Sequence, residues 1–310
     1  MKIIKVIKIG SIICIAGFIF ACILAKVGYD YCFKRVDYEV NDRDYPRREI
    51  NFMSGEHKLT GYIYGEDNSK GLVVVSHGRG ASAEAYFLEV LYIVEHGWQV
   101  FAYNNTGTLL SEGDTTKGLS QSLFDLRAAL DYIAEEEQLN HLPITLYGHS
   151  WGGYAVTSIL NYDYPISAVV SVAGFDTPQK AIYDYAVCKA KVLGAIGFPF
   201  FWGYHCMVFG GDSNISATDG INHTQIPVMI IHGTGDKTLR YHVSGIISNQ
   251  DRIENPNVIY IFRDQENQNG HTNLMFAVDD NKNPTGLLDE DLFYNINQLF
   301  EQAIKTGGES

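Results

Sequence analysis

Five residues, Gly148-His149-Ser150-Trp151-Gly152, stand between the apolar run Pro143 to Tyr147 and the helix-like stretch Trp151 to Leu160. A strand that reverses into a helix through G-x-S-x-G leaves room only for glycines beside the turn and holds its serine out of the backbone crowd. Few architectures supply that setting, and the commonest is a parallel sheet with helices on its faces. Ser150 is therefore a candidate nucleophile, and the strand-turn-helix context carries the assignment more than the five letters do.

The neighbouring segments repeat the pattern. Residues 49–54 and 58–64 alternate apolar and polar around Ser54-Gly55-Glu56-His57, as an edge hairpin does. Leu72 to Ser76 and Trp98 to Tyr103 are short β-branched and aromatic runs separated by a helical stretch, Ser82 to Glu95, which together make a βαβ unit. Leu123, Leu126, Leu130 and Ile133 give Leu119 to Gln138 a helical period. Ile166 to Val172, Ile226 to Ile231 and Val258 to Phe262 read as further strands buried on both faces, and Asp291 to Ile304 as a closing amphipathic helix. The expected fold class is thus α/β: a mostly parallel sheet of about eight strands with helices on both faces. About fifty residues, 175–222, interrupt the alternation and are expected to form a helical cap, with the aromatic cluster Phe198 to Trp202 serving either cap packing or a lipid-facing surface.

Residues 9–25 form the longest apolar stretch, flanked by Lys2, Lys5 and Lys8 on one side and Lys26 on the other. As a helix these seventeen residues span about 25 Å, close to a bilayer core, and the lysines extend the reach by snorkelling. The segment reads as a signal anchor or a signal peptide, and the lack of a small-x-small cleavage site favours retention. Ile19-Phe20-Ala21-Cys22 only loosely fits a lipoprotein box. The expected organisation is a transmembrane helix over 1–28, a polar mixed-charge connector over 29–48, and one catalytic domain over 49–306. A short cationic tail favours a cell-membrane, single-pass placement with that domain outside the cytoplasm.

Composition excludes some partners. With 36 acidic against 23 basic residues, the net charge is −13 and the basic residues are scattered, so nucleic acid is not expected to bind. Among five cysteines there is no CxxC pair, and neither a zinc site nor a redox motif is expected. The partners that remain are a small-molecule or lipid ester and the membrane itself.

A serine hydroxyl is a poor nucleophile at neutral pH and needs a base, which in turn needs a carboxylate to fix its tautomer. His271, in Gly270-His271-Thr272-Asn273, follows the strand Val258 to Phe262. Asp236 follows the strand ending at Ile231, in His232-Gly233-Thr234-Gly235-Asp236. Asp236 is also in a place where a turn-forming or capping aspartate is common, so Asp176, after Val169 to Gly174, is kept as the alternative acid. The oxyanion of a tetrahedral intermediate would be met by the backbone amide of Trp151 and by that of Arg79 in Ser76-His77-Gly78-Arg79-Gly80. His77 and His149 read as structural neighbours.

Taken in order, His77-Gly78, the Ser150 pentapeptide, His232 to Asp236 and Gly270-His271 make the chain resemble the α/β-hydrolase fold serine hydrolases, of the membrane-anchored bacterial esterase-like type, across residues 50–305. The resemblance implies an eight-stranded sheet, a triad of Ser150, Asp236 and His271, and no metal or organic cofactor. Where similar proteins often carry Asp and Arg after the fourth strand, this chain has Asn104-Asn105-Thr106-Gly107. The expected activity is carboxylic ester hydrolysis through an acyl-enzyme, with acyl transfer, peptidase or thioesterase chemistry as alternatives on the same groups. A non-catalytic binding protein on such a scaffold is disfavoured by the complete set of three.

Overall fold

The computed structural model describes residues 2–40 and 45–307, with side chains from Ser11 onward. Residues 41–44 of the expected connector lie outside that description.

Eight strands form one sheet in the order β1-β2-β4-β3-β5-β6-β7-β8, where β1 is Arg47–Ser54, β2 His57–Tyr64, β3 Leu72–Ser76, β4 Gln99–Tyr103, β5 Ile144–His149, β6 Ile166–Val172, β7 Val228–Gly233 and β8 Val258–Arg263. The first two strands pair antiparallel, β2 also runs antiparallel to β4, and every pairing from β4 to β8 is parallel. The central strands β3, β4, β5 and β7 are buried along their whole length, which is why their sequences read as unbroken apolar runs. The expectation of burial on both faces fails at β8. It is the edge strand, and Ile259 and Phe262 remain 43% and 46% exposed.

Helices cover both faces. One core forms where α3 (Gln121–Glu135) and α4 (Trp151–Ser158) bury Leu123, Leu126, Leu130, Tyr154 and Val156 against Val74, Leu146 and Ile230. The other forms where α2 (Phe87–Glu95) and α7 (Glu290–Gly307) bury Val90, Ile93, Phe293 and Phe300 against Val73, Val75, Val170 and Ile231. The helical stretch expected from Ser82 is split: Ala83–Tyr86 is a 3-10 turn and the α-helix begins only at Phe87. A hairpin of β9 (Phe276–Val278) and β10 (Pro284–Leu288) precedes α7.

The segment after β6 is helical. A 32-residue helix, α5 (Pro178–Phe209), is broken at Lys191 (φ +49°, ψ −123°), and a short helix, α6 (Ala217–Asn222), returns the chain to β7. The N-terminal helix, α1 (Lys2–Cys32), is longer than residues 1–28 and packs on α5. The Tyr29 hydroxyl meets His205 Nδ1 at 2.7 Å, and the Tyr29 ring packs between Phe201 and Tyr204 with centroids 4.9 and 5.0 Å away. Residues 29–40 of the expected polar connector are held against the rest of the chain. Phe33 is buried, Val36 bridges to Thr108, and Arg35 Nη1 donates to the carbonyls of Ser111 and Gly113, each at 2.9 Å. By length and composition, Ser11–Cys32 can cross a membrane.

Candidate active site

Ser150, Asp236 and His271 each follow a parallel strand at its carboxyl end, the edge of such a sheet where ligands bind. At the turn between β5 and α4, Ser150 has φ +55° and ψ −108°. Its amide donates to Val172 O at 2.7 Å and its carbonyl accepts from Tyr154 N at 3.0 Å, so both sides of the strained residue are held. The glycines on either side are there for space: a Cβ on Gly152 would lie 1.9 Å from Ser76 O, and one on Gly148 2.3 Å from Gly152 O.

From this turn Ser150 Oγ stands 2.8 Å from His271 Nε2, and His271 Nδ1 stands 2.7 Å from Asp236 Oδ2. The geometry defines the tautomer: Nδ1–H donates to the carboxylate, leaving Nε2 free to accept the serine proton. Asp236 is fully partnered. Its Oδ1 accepts from the amides of Thr238 (2.7 Å) and Leu239 (2.9 Å), and its Oδ2 also accepts from His232 Nε2 at 3.2 Å. Burial alone would raise its pKa, but the hydrogen bonds from His232 and His271, with the Leu239 amide, outweigh burial and hold it well below the ordinary carboxylate value. It therefore stays ionised against an imidazole. His232, whose Nε2–H also donates to Leu239 O at 2.9 Å, was not singled out from sequence. The hint available there was its position four residues before Asp236.

The alternative acid goes elsewhere. Asp176 accepts from Lys180 Nζ at 2.8 Å and from Thr218 Oγ1 at 2.7 Å, and it also takes Ser216 Oγ and the Thr218 amide, so it anchors the base of the α5–α6 insertion. Among the described residues it makes no hydrogen bond with His271.

The loop after β3 is organised by a relay. Gly78 N–H donates to Tyr86 Oη (3.0 Å), the Tyr86 hydroxyl donates to His149 Nδ1 (2.6 Å), and His149 Nε2–H donates to the carbonyl of His271 (2.8 Å). Burial pushes His149 down to about 3, so it remains neutral and keeps both roles. With the Gly78 amide engaged, the next amide along, that of Arg79, has no protein acceptor among the described residues. The Trp151 amide, first in α4, has no partner within its helix by construction. Both residues line the same cavity as Ser150 and His271. The Arg79 side chain lies along the cavity wall, donating to Cys32 O at 2.8 Å over the Phe33 ring.

The remaining sequence candidates settle into support. His77 Nδ1–H donates to Gly78 O at 2.8 Å, and its Nε2 accepts from the Asn105 amide at 3.0 Å, tying the loops after β3 and β4 together. In the Asn104 to Gly107 loop, the Thr106 amide and hydroxyl bind buried Asp125, which also takes Ser54 Oγ and Gln121 Nε2. Among the described residues, no three His, Cys, Asp or Glu side chains cluster to hold a metal ion.

A cavity of about 590 Å³ opens above Ser150 and His271. Its walls come from α1 and α5, with Trp151, Phe175, Ile182 and Leu239 at the base, and Arg79 and Lys189 are its cationic side chains. No aspartate or glutamate is among the residues lining it.

Comparison with solved structures agrees with the strand order. An esterase of Pyrococcus furiosus, Pf2001, superposes with a TM-score of 0.66, covering 87% of this chain and 98% of its own at 15% identity. The chain has the α/β-hydrolase fold. Other solved structures align less closely: Est1E of Butyrivibrio proteoclasticus, with bound ferulic acid, has a TM-score of 0.56 over 83% of this chain and 99% of its own at 16% identity. An acylaminoacyl peptidase of Pyrococcus horikoshii reaches 0.55 over 74% of this chain and 38% of its own at 14% identity. A family model described as serine aminopeptidase, S33, matches residues 67–197 of the chain. The uncharacterised protein YfhR of Salmonella typhimurium is 26% identical over 183 residues, which span 57% of this chain and 58% of that protein.

Proposed function

We propose that this chain is a serine hydrolase that cleaves carboxylic esters through an acyl-enzyme. The observation that carries the reading is the pair of contacts at His271, 2.8 Å to Ser150 Oγ and 2.7 Å to Asp236 Oδ2, in a cavity-lining position. Ser150 Oγ attacks the ester carbonyl carbon as its proton passes to His271 Nε2. The carbonyl oxygen becomes an oxyanion facing the amides of Trp151 and Arg79. Each such donor contributes roughly 2.7–4 kcal/mol to the transition state. As the tetrahedral species collapses, the bond to the leaving oxygen breaks and the imidazolium gives that oxygen its proton. Water then repeats the sequence, losing a proton to His271, releasing the acid and restoring the Ser150 hydroxyl. Asp236 keeps Nδ1 protonated and stabilises the imidazolium throughout, and His232 Nε2–H holds the same carboxylate oxygen that His271 meets.

A peptidase reading is favoured by the serine aminopeptidase description of the matching family model. An aminopeptidase has to recognise a substrate ammonium group, for which a carboxylate is the natural partner. The cavity offers Arg79 and Lys189 instead, and this supports an ester over a peptide with a free amino terminus. We place the protein at a membrane through α1, with the catalytic domain outside the cytoplasm. Hydrolysis of p-nitrophenyl butyrate by the full-length protein in detergent tests the proposal. Ser150→Ala should lose activity on the order of 10⁶-fold with an unchanged melting profile. A Ser150→Ala variant that still turns over would move the nucleophile elsewhere.

A further inference from the structure

The cavity above Ser150 has an unusual wall. Ala21, Ala25, Gly28 and Cys32 line it from α1, and their spacing of four, three and four residues puts them on one helix face. Across from them, α5 contributes Ala186 and Ala190 before its break at Lys191 and Gly194 and Gly197 after it, the two parts meeting where a Cβ on Gly194 would lie 2.0 Å from Ala186 O. Helices that meet through small residues ordinarily close until their backbones touch. Here they do not. A Cβ built on Gly28 or on Gly197 finds nothing within 4 Å. Aromatic contacts join two levels of α1 to residues 200–205 of α5: Phe18 meets Phe200 with centroids 5.8 Å apart, and Tyr29 meets Phe201 and Tyr204, with the Tyr29 hydroxyl fixed to His205. The small residues therefore line a lumen.

That lumen runs from the reactive groups to an apolar surface. Ser150, at one end, is 9% exposed, whereas Leu24 and Ile196, which line the same cavity, are 55% and 63% exposed. Around this opening the outer faces of both helices are apolar: Phe20, Ile23 and Val27 on α1, and Val192 and Leu193 on α5, are all exposed. An apolar patch of this kind is costly in water and marks a membrane-facing surface when it adjoins a helix long enough to span one.

We infer that the space between α1 and α5 is an acyl-chain pocket whose mouth faces the bilayer, so that the substrate class is a long-chain ester of a membrane lipid, entering from the side. This rests on Ser150 being the nucleophile. The acyl chain lies between the two small-residue faces and its ester carbonyl reaches Ser150. The Ser150 Oγ–acyl bond forms as the carbonyl–oxygen bond to the lipid alcohol breaks, the alcohol takes the proton from His271, and water releases the fatty acid. The N-terminal helix is then part of the substrate site as well as a tether.

Two glycines make the idea testable, because a larger side chain at either fills the lumen without meeting backbone. Full-length protein and its Gly28→Leu and Gly197→Leu variants are reconstituted in phosphatidylcholine vesicles. Hydrolysis is then measured for monoolein in the same vesicles and for soluble p-nitrophenyl butyrate. Each variant should lower the monoolein-to-butyrate ratio of kcat/KM by about tenfold or more, since a hydrophobic pocket discriminates by factors of 10–200 for each methylene it gains or loses room for. The wild-type protein should cleave monoolein in its own bilayer faster than monoolein supplied in separate vesicles. Unchanged ratios in both variants, with a fluorophosphonate still labelling Ser150, overturn the pocket and leave the serine hydrolase reading standing. Equal rates from the two presentations overturn entry from the bilayer. Absence of both labelling and butyrate hydrolysis in the wild-type protein overturns the hydrolase reading itself.

Discussion

Replacing Ser150 by glycine should make the protein more stable than replacing it by alanine. Both changes remove the hydroxyl and its hydrogen bond to His271, so their difference reports the backbone. At φ +55° and ψ −108°, Ser150 occupies a region that a residue with a Cβ rarely enters. Such residues cost about 1–3 kcal/mol. Glycine escapes that cost but adds about 0.4–1 kcal/mol of unfolded-state entropy relative to alanine. The net is about 1 kcal/mol in favour of glycine, the reverse of the usual order for these two residues. Because Ser150 N–H and C=O are both engaged, with Val172 O and Tyr154 N, the turn cannot relax to relieve an alanine. In a chain of this size the difference corresponds to a melting shift of roughly 2 °C, readable by fluorimetry of the detergent-solubilised variants side by side. Equal melting, or alanine above glycine, would show that the turn stores no strain and that the elbow argument is wrong.

Asp236→Asn keeps the shape of the site but presents His271 with an amide that no longer selects the Nδ1–H tautomer; kcat for p-nitrophenyl butyrate should fall by about 10⁴-fold, and a drop of less than tenfold would mean that another acid orients the imidazole. Burial pushes His77 down to about 4 from an ordinary 6.5, so between those pH values the unfolded chain binds a proton that the folded one does not. Stability should therefore fall with acid by about 1.4 kcal/mol per pH unit from this residue alone, and His77→Gln should flatten the slope of melting temperature over that window. Gly152→Ala drives a Cβ to 1.9 Å from the Ser76 carbonyl, a backbone atom that cannot swing aside. It should cost about 3 kcal/mol or more in stability, seen as a large drop in melting temperature, and a variant that melts like wild type would contradict the close approach of α4 to β3.

What the sequence makes legible is what is encoded locally. The Ser150 turn is readable because strand, turn and helix are consecutive and only glycine fits beside the serine. The sheet is readable because β3, β5 and β7, buried on both faces, have few positions left for polar residues. Asp236 and His271 stand in glycine-containing loops that follow β7 and β8, so chain order narrows the choice, but separating Asp236 from Asp176 takes three dimensions: Lys180 and Thr218 claim the second carboxylate. His232 on Asp236 is equally a matter of folding, since a histidine at a strand end reads like any other buried polar group. The β9–β10 hairpin escapes notice because its turn, Asp279 to Asn283, is polar and its strands are short and half-exposed. The second role proposed for α1 is hidden for a different reason. Hydropathy sees an apolar span, and only the packing against α5 shows that Ala21, Ala25, Gly28 and Cys32 face a lumen.

The most direct measurement is the mass of the peptide containing Ser150 after the full-length protein has been treated with a fluorophosphonate, because that reagent reacts with a serine only when a base deprotonates it beside an oxyanion site. Stoichiometric phosphonylation of Ser150, abolished in His271→Ala while the fold is retained, is the expected result. An unmodified Ser150, or an adduct that forms as readily without His271, would contradict the proposed chemistry.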